Sequence, residues 1–304
     1  MRLQDLSEDR LLEILLADLP VGRNAVIGPG DDCAVVQGVG DRMMLLLKTD
    51  CIAEGIHYLA EDDPVRVGWK ALCRPLSDVA AMGGEPVHAL ISIFSPEDRP
   101  VAYWKSFYKG LSKAAKRFGV GIVGGETARS RCAAVSVSVV GRVEAARLIT
   151  RSGGQPNDVL FVTGTLGGSL TGRHLDFVPR VAEGRWLSAH GYVRAMMDLS
   201  DGLAADLPRL AAASKCGFQI DPAALPRTRG CDSTRAMSDG EDYELLMAVA
   251  PRLVERLNRG WQEMFPHLRL TRIGELTAPG TSSTALPQGF DHFLGCHNPS
   301  AKAT

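Results

Sequence analysis

Acidic residues recur in this chain where apolar or small-residue runs end. Asp31 and Asp32 follow GPG and precede CAVV. Asp50 closes the run MMLLLKTD, Asp78 stands in LSDVAAMGG, and Glu126 follows the glycines of VGGETA. Asp198 and Asp201 bracket Leu199 and Ser200 in MMDLSDGLAADL. Burying a carboxylate is costly unless something positive meets it. Acids at element ends, beside Gly, Ser or Thr, suit magnesium, which takes a few carboxylates together with waters and substrate phosphates. Each acid alone has a plainer reading: Asp201 or Ser200 as a helix N-cap, Asp31 as a turn residue, the others as solvated surface acids. Asp206 in the same run reads as an ordinary helix-surface acid. The recurrence is what argues for a metal site.

Other chemistries find less support. No G-x-x-x-x-G-K-[ST] loop occurs. The stretch GVGIVG (119–124) matches G-x-G-x-x-G, but it follows a helical pattern and leads toward a strand, the reverse of what a dinucleotide fold requires. No Ser-His-Asp or Cys-His set supplies a general base.

The elements that must position these acids follow from periodicity. Residues 7–19 and 65–83 read as helices, the second with Pro75 inside it, where a proline should kink the helix or end its first part. Residues 43–50 read as a buried strand, HALISIF as a strand, 101–119 as an amphipathic helix, and AAVSVSVVGRV as a strand with period-two alternation. The turn-rich ITRSGGQPNDVLFVTG marks a domain boundary, dividing the chain into 1–148 and 149–304. Beyond it come a strand at 159–163, a Gly-rich turn and a helical region. A helix at about 202–214, the strands FQI and ELLMAVA, the helix RLVERLNRGWQEMF and the strand LRLTRIGEL complete it. The pattern predicts an α/β (α+β) fold of two domains with mixed sheets and a loosely ordered tail from about 294.

The chain has 304 residues, 45% of them apolar and 23% charged, with a net charge of -1. That length supports two cores. The balance excludes a basic nucleic-acid binder. Seven cysteines without a C-x-x-C pair indicate free thiols in a reducing compartment, most of them as small core residues. The N-terminal helix lacks a signal peptide's apolar centre, and no run is long enough to span a bilayer. The expectation is a soluble, cytoplasmic protein.

GDDCAVV, TDCIAEGIHY, LSDVAAMGGEP, VGGETAR, TRSGGQPNDVLFVTGTLG, DLSDGLAADL, GEDYELL and GFDHF occur in the order seen in thiamine-monophosphate kinases. The chain resembles that family from about residue 4 to 294, with GEDYELL and SDGLAADL together the most specific part. The same fold serves aminoimidazole ribonucleotide synthetase, selenophosphate synthetase and a hydrogenase maturation factor, none of which combines these motifs.

The resemblance implies transfer of the γ-phosphoryl group of ATP to thiamine monophosphate, giving thiamine diphosphate. It also implies a homodimer pairing through the N-terminal sheets and a cleft holding several Mg²⁺ ions. By motif, Asp32, Thr49, Asp50, Asp78, Glu126, Asp198 and Asp201 match metal-holding positions. Gly125, Glu126, Arg151 and Ser200 match ATP contacts, and His57, Glu241 and Phe290 match positions near the thiamine substrate. No acid–base catalyst is implied, because the acceptor's phosphate, with a second pKa near about 6, is itself the nucleophile. Suppressing repulsion between two anions would fall to cations and to Arg151.

The chain departs from the family pattern at five places. Lys48 stands where a small residue is usual, and on a strand it shares a face with Asp50, so that its ammonium could sit where a metal would. Glu126 replaces an Asp, Pro75 an Asn and Ala128 a Thr, and the link between GGSL and RHLDFVPR is too short for the usual helix. Two further readings therefore stand beside the kinase: a nucleotide-binding homologue without transfer, and an ATP-dependent enzyme for another small phosphorylated acceptor.

Overall fold

The computed structural model describes residues 3–17, 20, 22–38, 40, 42–281 and 283–290. The expected loose tail, Cys296 and the last three residues of GFDHF lie outside them.

The first half builds one six-stranded sheet from β1 (Ala25–Ile27), β2 (Ala34–Gln37), β3 (Met43–Ala53), β4 (Glu85–Ser95), β5 (Gly121–Arg129) and β6 (Ala134–Glu144), in the order β1-β2-β3-β6-β4-β5. Only β4 and β5 pair in parallel. Alternation explains its two faces. Leu46 and Ile52 of β3, Ala89, Ile91 and Ile93 of β4, and Val135, Val137 and Val139 of β6 are buried on one side. Their neighbours Leu47, Leu90 and Phe94 are exposed on the other.

Of the helices α1 (Glu8–Leu16), α2 (Pro64–Ala81) and α3 (Val101–Phe118), α2 covers the buried face. It starts at an Asp63 side chain that accepts the Val65 N–H, with Pro64 in the first turn, and stops before the Gly83–Gly84 pair. The crossing of α2 with α3 is close because both are glycine where they meet. A Cβ on Gly68 would strike the Phe107 carbonyl, and one on Gly110 the Val65 carbonyl.

Pro75 does not end α2, one of the two outcomes expected of it. The helix runs unbroken from 64 to 81 with the ring buried. Proline lacks only one N–H, and packing along nearly the whole length of α2 outweighs that loss. The glycine-rich stretch at 119–124 also behaves as its context predicted: Gly119 closes α3 in a left-handed conformation and β5 starts at Gly121.

The second half builds a five-stranded sheet from β7 (Val159–Thr163), β8 (Ala195–Asp198), β9 (Gly217–Ile220), β10 (Leu245–Val249) and β11 (Leu270–Thr277), in the order β8-β10-β7-β11-β9. All of its pairings are antiparallel. With it go α4 (Val181–His190), α5 (Leu203–Ala213), α6 (Ser233–Ser238) and α7 (Val254–Met264). Between β7 and α4 lie only 3₁₀ turns at Ser169–Thr171 and Arg173–Leu175. The two halves share buried surface: Leu175, Phe177, Val181 and Tyr243 join the core of the first half, and Ala81 of α2 joins a core of the second. Among the described residues no helix is long and apolar enough to cross a membrane. Of the six described cysteines, all free, only Cys33 and Cys73 are buried, so most are not the core residues expected.

Candidate active site

Three carboxylates from distant parts of the chain meet where the halves join. Asp32 comes from the turn before β2, Asp78 from the last turns of α2 and Asp198 from the end of β8. All three are buried, and their ligand atoms lie within 4.8 Å of one another. Two cations reach them. Arg151 Nη2 donates to Asp32 Oδ1 at 2.7 Å, and Lys48 Nζ donates to Asp78 Oδ1 at 2.6 Å. Lys48 and Asp50 share the core face of β3, as alternation predicted, and their charged atoms lie 3.8 Å apart.

Burial dominates the electrostatics of this cluster. Burial, then the neighbouring Asp32 charge, pushes Asp198 up to about 7. Burial raises Asp78 well above the usual carboxylate range, with Lys48 offsetting only part of that and Asp50 adding to it. Asp31, which accepts the Arg151 backbone N–H, is pushed up to about 6 by burial and then by Asp32. Asp50 moves the other way: burial opposes this, and Lys48, then Arg74 and a hydrogen bond from Asp78, overcome it. Asp32 Oδ2 is buried without a hydrogen-bond partner, as is Arg151 Nε. An all-oxygen donor set with an unpartnered buried oxygen fits a divalent cation such as Mg²⁺.

A second polar group lies across α2. Lys70, fully buried in an otherwise apolar stretch, presents Nζ to the His57 carbonyl at 2.6 Å, to His174 Nδ1 at 2.7 Å and to Glu241 Oε2 at 2.8 Å. The His57 carbonyl and Glu241 accept two of the ammonium's three donors, and His174 accepts the third in the tautomer that leaves Nδ1 unprotonated. Glu241 is held well below the usual carboxylate range; burial opposes this, and Lys70 is the strongest of the groups that overcome it. Glu241, His57 and His174 line a cavity of 360 Å³ between the β3–α2 connection and the 170–175 turns.

The other acids of GEDYELL each hold a base. Asp242 accepts from the Gly167 backbone and from Arg173 at 2.6 Å, while Glu244 accepts from Arg180 Nε at 2.7 Å and from Thr163 Oγ1 at 2.6 Å.

The structure does not bring every predicted site residue together. Thr49 points to the exposed face of β3, toward Ser136 and Ser138, and away from the carboxylates. Gly125 and Glu126 lie on the edge strand β5. The register Asp50–Val137–Ile91–Gly125 sets them three strands away, roughly 14 Å at ordinary strand spacing. Gly125 has φ +156°, and a Cβ there would strike the Ile91 carbonyl, so the backbone itself calls for glycine. Glu126 accepts the neighbouring Thr127 N–H.

Ser200 offers its carbonyl to the Glu241 N–H. Asp201, although only three residues from Asp198, pairs with Arg209 at 2.5 Å and stands outside the carboxylate trio. Phe290 donates its N–H to the Asp201 carbonyl and is not among the residues lining the His57–Glu241 cavity. Asp206 is not the surface acid expected. It is completely buried, accepts the Asp201 N–H and pairs with Arg209, because the first turn of α5 packs into the second core.

Sequence reading passed over Lys70, Arg173, His174, Arg180 and Arg209. A lysine inside an apolar helical stretch was the available signal for the first, and the close-set acids of GEDYELL for the need of partners. Which bases they take is a matter of folding.

Comparison with known proteins meets this geometry at both halves. Family models for AIR synthase related protein match as the N-terminal domain over residues 30–143 and as the C-terminal domain over 169–285. Thiamine-monophosphate kinase of Rhodopirellula baltica is 32% identical, covering 88% of this chain and 91% of its own. That of Aquifex aeolicus is 34% identical, with 96% and 100% covered. Among solved structures, AaThiL complexed with AMPPCP and TMP superposes with a TM-score of 0.84 at 32% identity, covering 96% of this chain and 99% of that one. The hydrogenase maturation protein HypE of E. coli, at 22% identity and a TM-score of 0.67 over 79% of this chain and 81% of its own, shares the fold. The chain belongs to the thiamine-monophosphate kinase family of AIR synthase related proteins, a family of phosphotransferases.

Proposed function

We propose that this chain transfers the γ-phosphoryl group of ATP to the phosphate of thiamine monophosphate, giving thiamine diphosphate and ADP. The observation that carries the reading is the buried trio Asp32, Asp78 and Asp198, drawn from both halves and left with an unpartnered oxygen. A relative of 32% identity complexed with AMPPCP and TMP supports the nucleotide and the acceptor.

Asp32, Asp78 and Asp198 would hold magnesium, which neutralises charge between the two anionic substrates when bound. Arg151, clamped by Asp32 on one nitrogen and with Nε unpartnered, offers a donor to a phosphate oxygen. The acceptor's phosphate, mostly dianionic at neutral pH with a second pKa near about 6, needs no protein base. The ionised Glu241, fixed by Lys70 in the cavity wall beside His57, suits a cationic thiazolium. Catalysis is then positioning plus electrostatics.

The reading includes a homodimer. The uncovered sheet face carries exposed Leu47, Leu90 and Phe94, with exposed Val123 on the edge strand. A second copy seated there would cover apolar surface and is the route by which Gly125, Glu126 and Thr49 would serve a shared site. Sedimentation at micromolar concentration checks this; a monomer there is the outcome against it.

The direct test incubates purified protein with ATP, Mg²⁺ and thiamine monophosphate and measures thiamine diphosphate and ADP. Equal appearance of both is expected. No product at high enzyme, with ATP still bound by calorimetry, would overturn the kinase reading.

A further inference from the structure

Lys48 is placed unlike any other cation of this site. Arg151 approaches from the linker between the halves and is 2.7 Å from one oxygen of Asp32. Lys48 rises from the middle of β3, a strand paired on both sides, and its ammonium sits 2.6 Å from Asp78 and 3.8 Å from Asp50. Asp78 therefore spends one oxygen on Lys48 while also being one of the three clustered carboxylates. The lysine stem is largely enclosed, and the strand fixes its root, so the charge is a built feature of the pocket.

We propose that the Lys48 ammonium is a permanent, protein-borne cation that stands in place of a divalent ion between Asp50 and Asp78. The inference rests on the reading that Asp32, Asp78 and Asp198 take metal with a nucleotide. Geometry supports it. Asp50 and Asp78 turn carboxylates toward one ammonium, and without Lys48 the same oxygens would be open to a divalent ion. An ammonium and a hydrated magnesium ion cannot share that space, because magnesium keeps short oxygen contacts in an octahedron and holds on to its waters. The metal-binding capacity left to the chain is then the Asp32–Asp198 side of the pocket together with the remaining oxygen of Asp78.

The test counts metal without using turnover. Mn²⁺ is titrated into the full-length protein with the non-hydrolysable nucleotide AMPPCP, and free Mn²⁺ is read by its paramagnetic resonance signal. Lys48→Ser is expected to bind one more Mn²⁺ per chain than the unaltered protein. Equal, non-zero counts in two folded proteins would overturn the inference and leave the kinase reading standing. No bound Mn²⁺ in either would overturn the inference and that reading's metal site together.

If Lys48→Ser does not fold, Asp50→Asn decides. Because Asp50 serves Lys48, that variant is expected to keep the unaltered count, and loss of one Mn²⁺ would overturn the inference. Failure to form thiamine diphosphate with the expected counts intact would remove the acceptor assignment and leave the role of Lys48 in place.

Discussion

Two acid-rich regions of this molecule differ in how completely their charges are matched. In GEDYELL every acid has a base of its own: Lys70 for Glu241, Arg173 for Asp242, Arg180 for Glu244. In the trio Asp32, Asp78 and Asp198, Arg151 and Lys48 reach two of the acids, and one Asp32 oxygen is left with nothing. Both regions are buried, so solvent does not explain the difference. Matched acids tie segments together, here fastening the 167–180 stretch and α2 onto β10. A partly matched set that keeps an unpartnered buried oxygen is poised for an external cation. The first kind of site serves stability and the second is organised at stability's expense.

That contrast is broken most sharply at Asp198. Replacing Asp198→Asn removes a charge the pocket cannot balance, and thiamine diphosphate formation is expected to fall by about 10²–10³-fold. The melting temperature should hold or rise, since the carboxylate is already strained by burial and by Asp32. A fall in melting temperature with activity retained would reverse the assignment.

The opposite signature is expected of Glu244→Ala. It strands the Arg180 guanidinium and the Thr163 hydroxyl in the interior, and urea denaturation should report a loss of about 3–5 kcal/mol. A loss below about 1 kcal/mol would show that the matched region is not what holds this seam.

The smallest effect concerns pH. Asp242 is pushed up to about 7, burial being the main cause and outweighing the Gly167 N–H and Arg173. A folded-state pKa above the unfolded one means that the native protein binds the extra proton. The contribution is full below about pH 4 and is lost as pH rises through about 7. Asp242→Asn should therefore flatten the decline in melting temperature between about pH 4 and about pH 7, the range between the two pKa values. An unchanged slope would place the titration elsewhere.

Much of this was legible along the chain. Strand β7 falls where its apolar run lies, α3 follows its amphipathic period, and three of the acids at element ends, read there as a metal site, cluster. Asp32, Asp78 and Asp198 do converge, and Lys48 shares the face of Asp50 as strand alternation requires. What misled was local logic applied to tertiary facts. Pro75 reads as a kink or a break, and packing on both sides of α2 carries the helix through it without a break. Asp206 reads as surface because a helix-start acid usually is, yet α5 turns that face into the core. Asp198 and Asp201 look equivalent in one motif, and only the turn at Gly202 and the reach of Arg209 separate them.

By itself, then, the sequence determined the elements, the family and the supply of carboxylates, because periodicity, turn residues and motif order are properties of neighbours along the chain. The tertiary structure alone decided which carboxylates meet, which base neutralises each, and that a lysine occupies the Asp50–Asp78 side. Those outcomes depend on how α2 is clasped between two sheets. Charges 30 to more than 100 residues apart come within hydrogen-bond distance there, where low polarizability makes a single unmatched oxygen count.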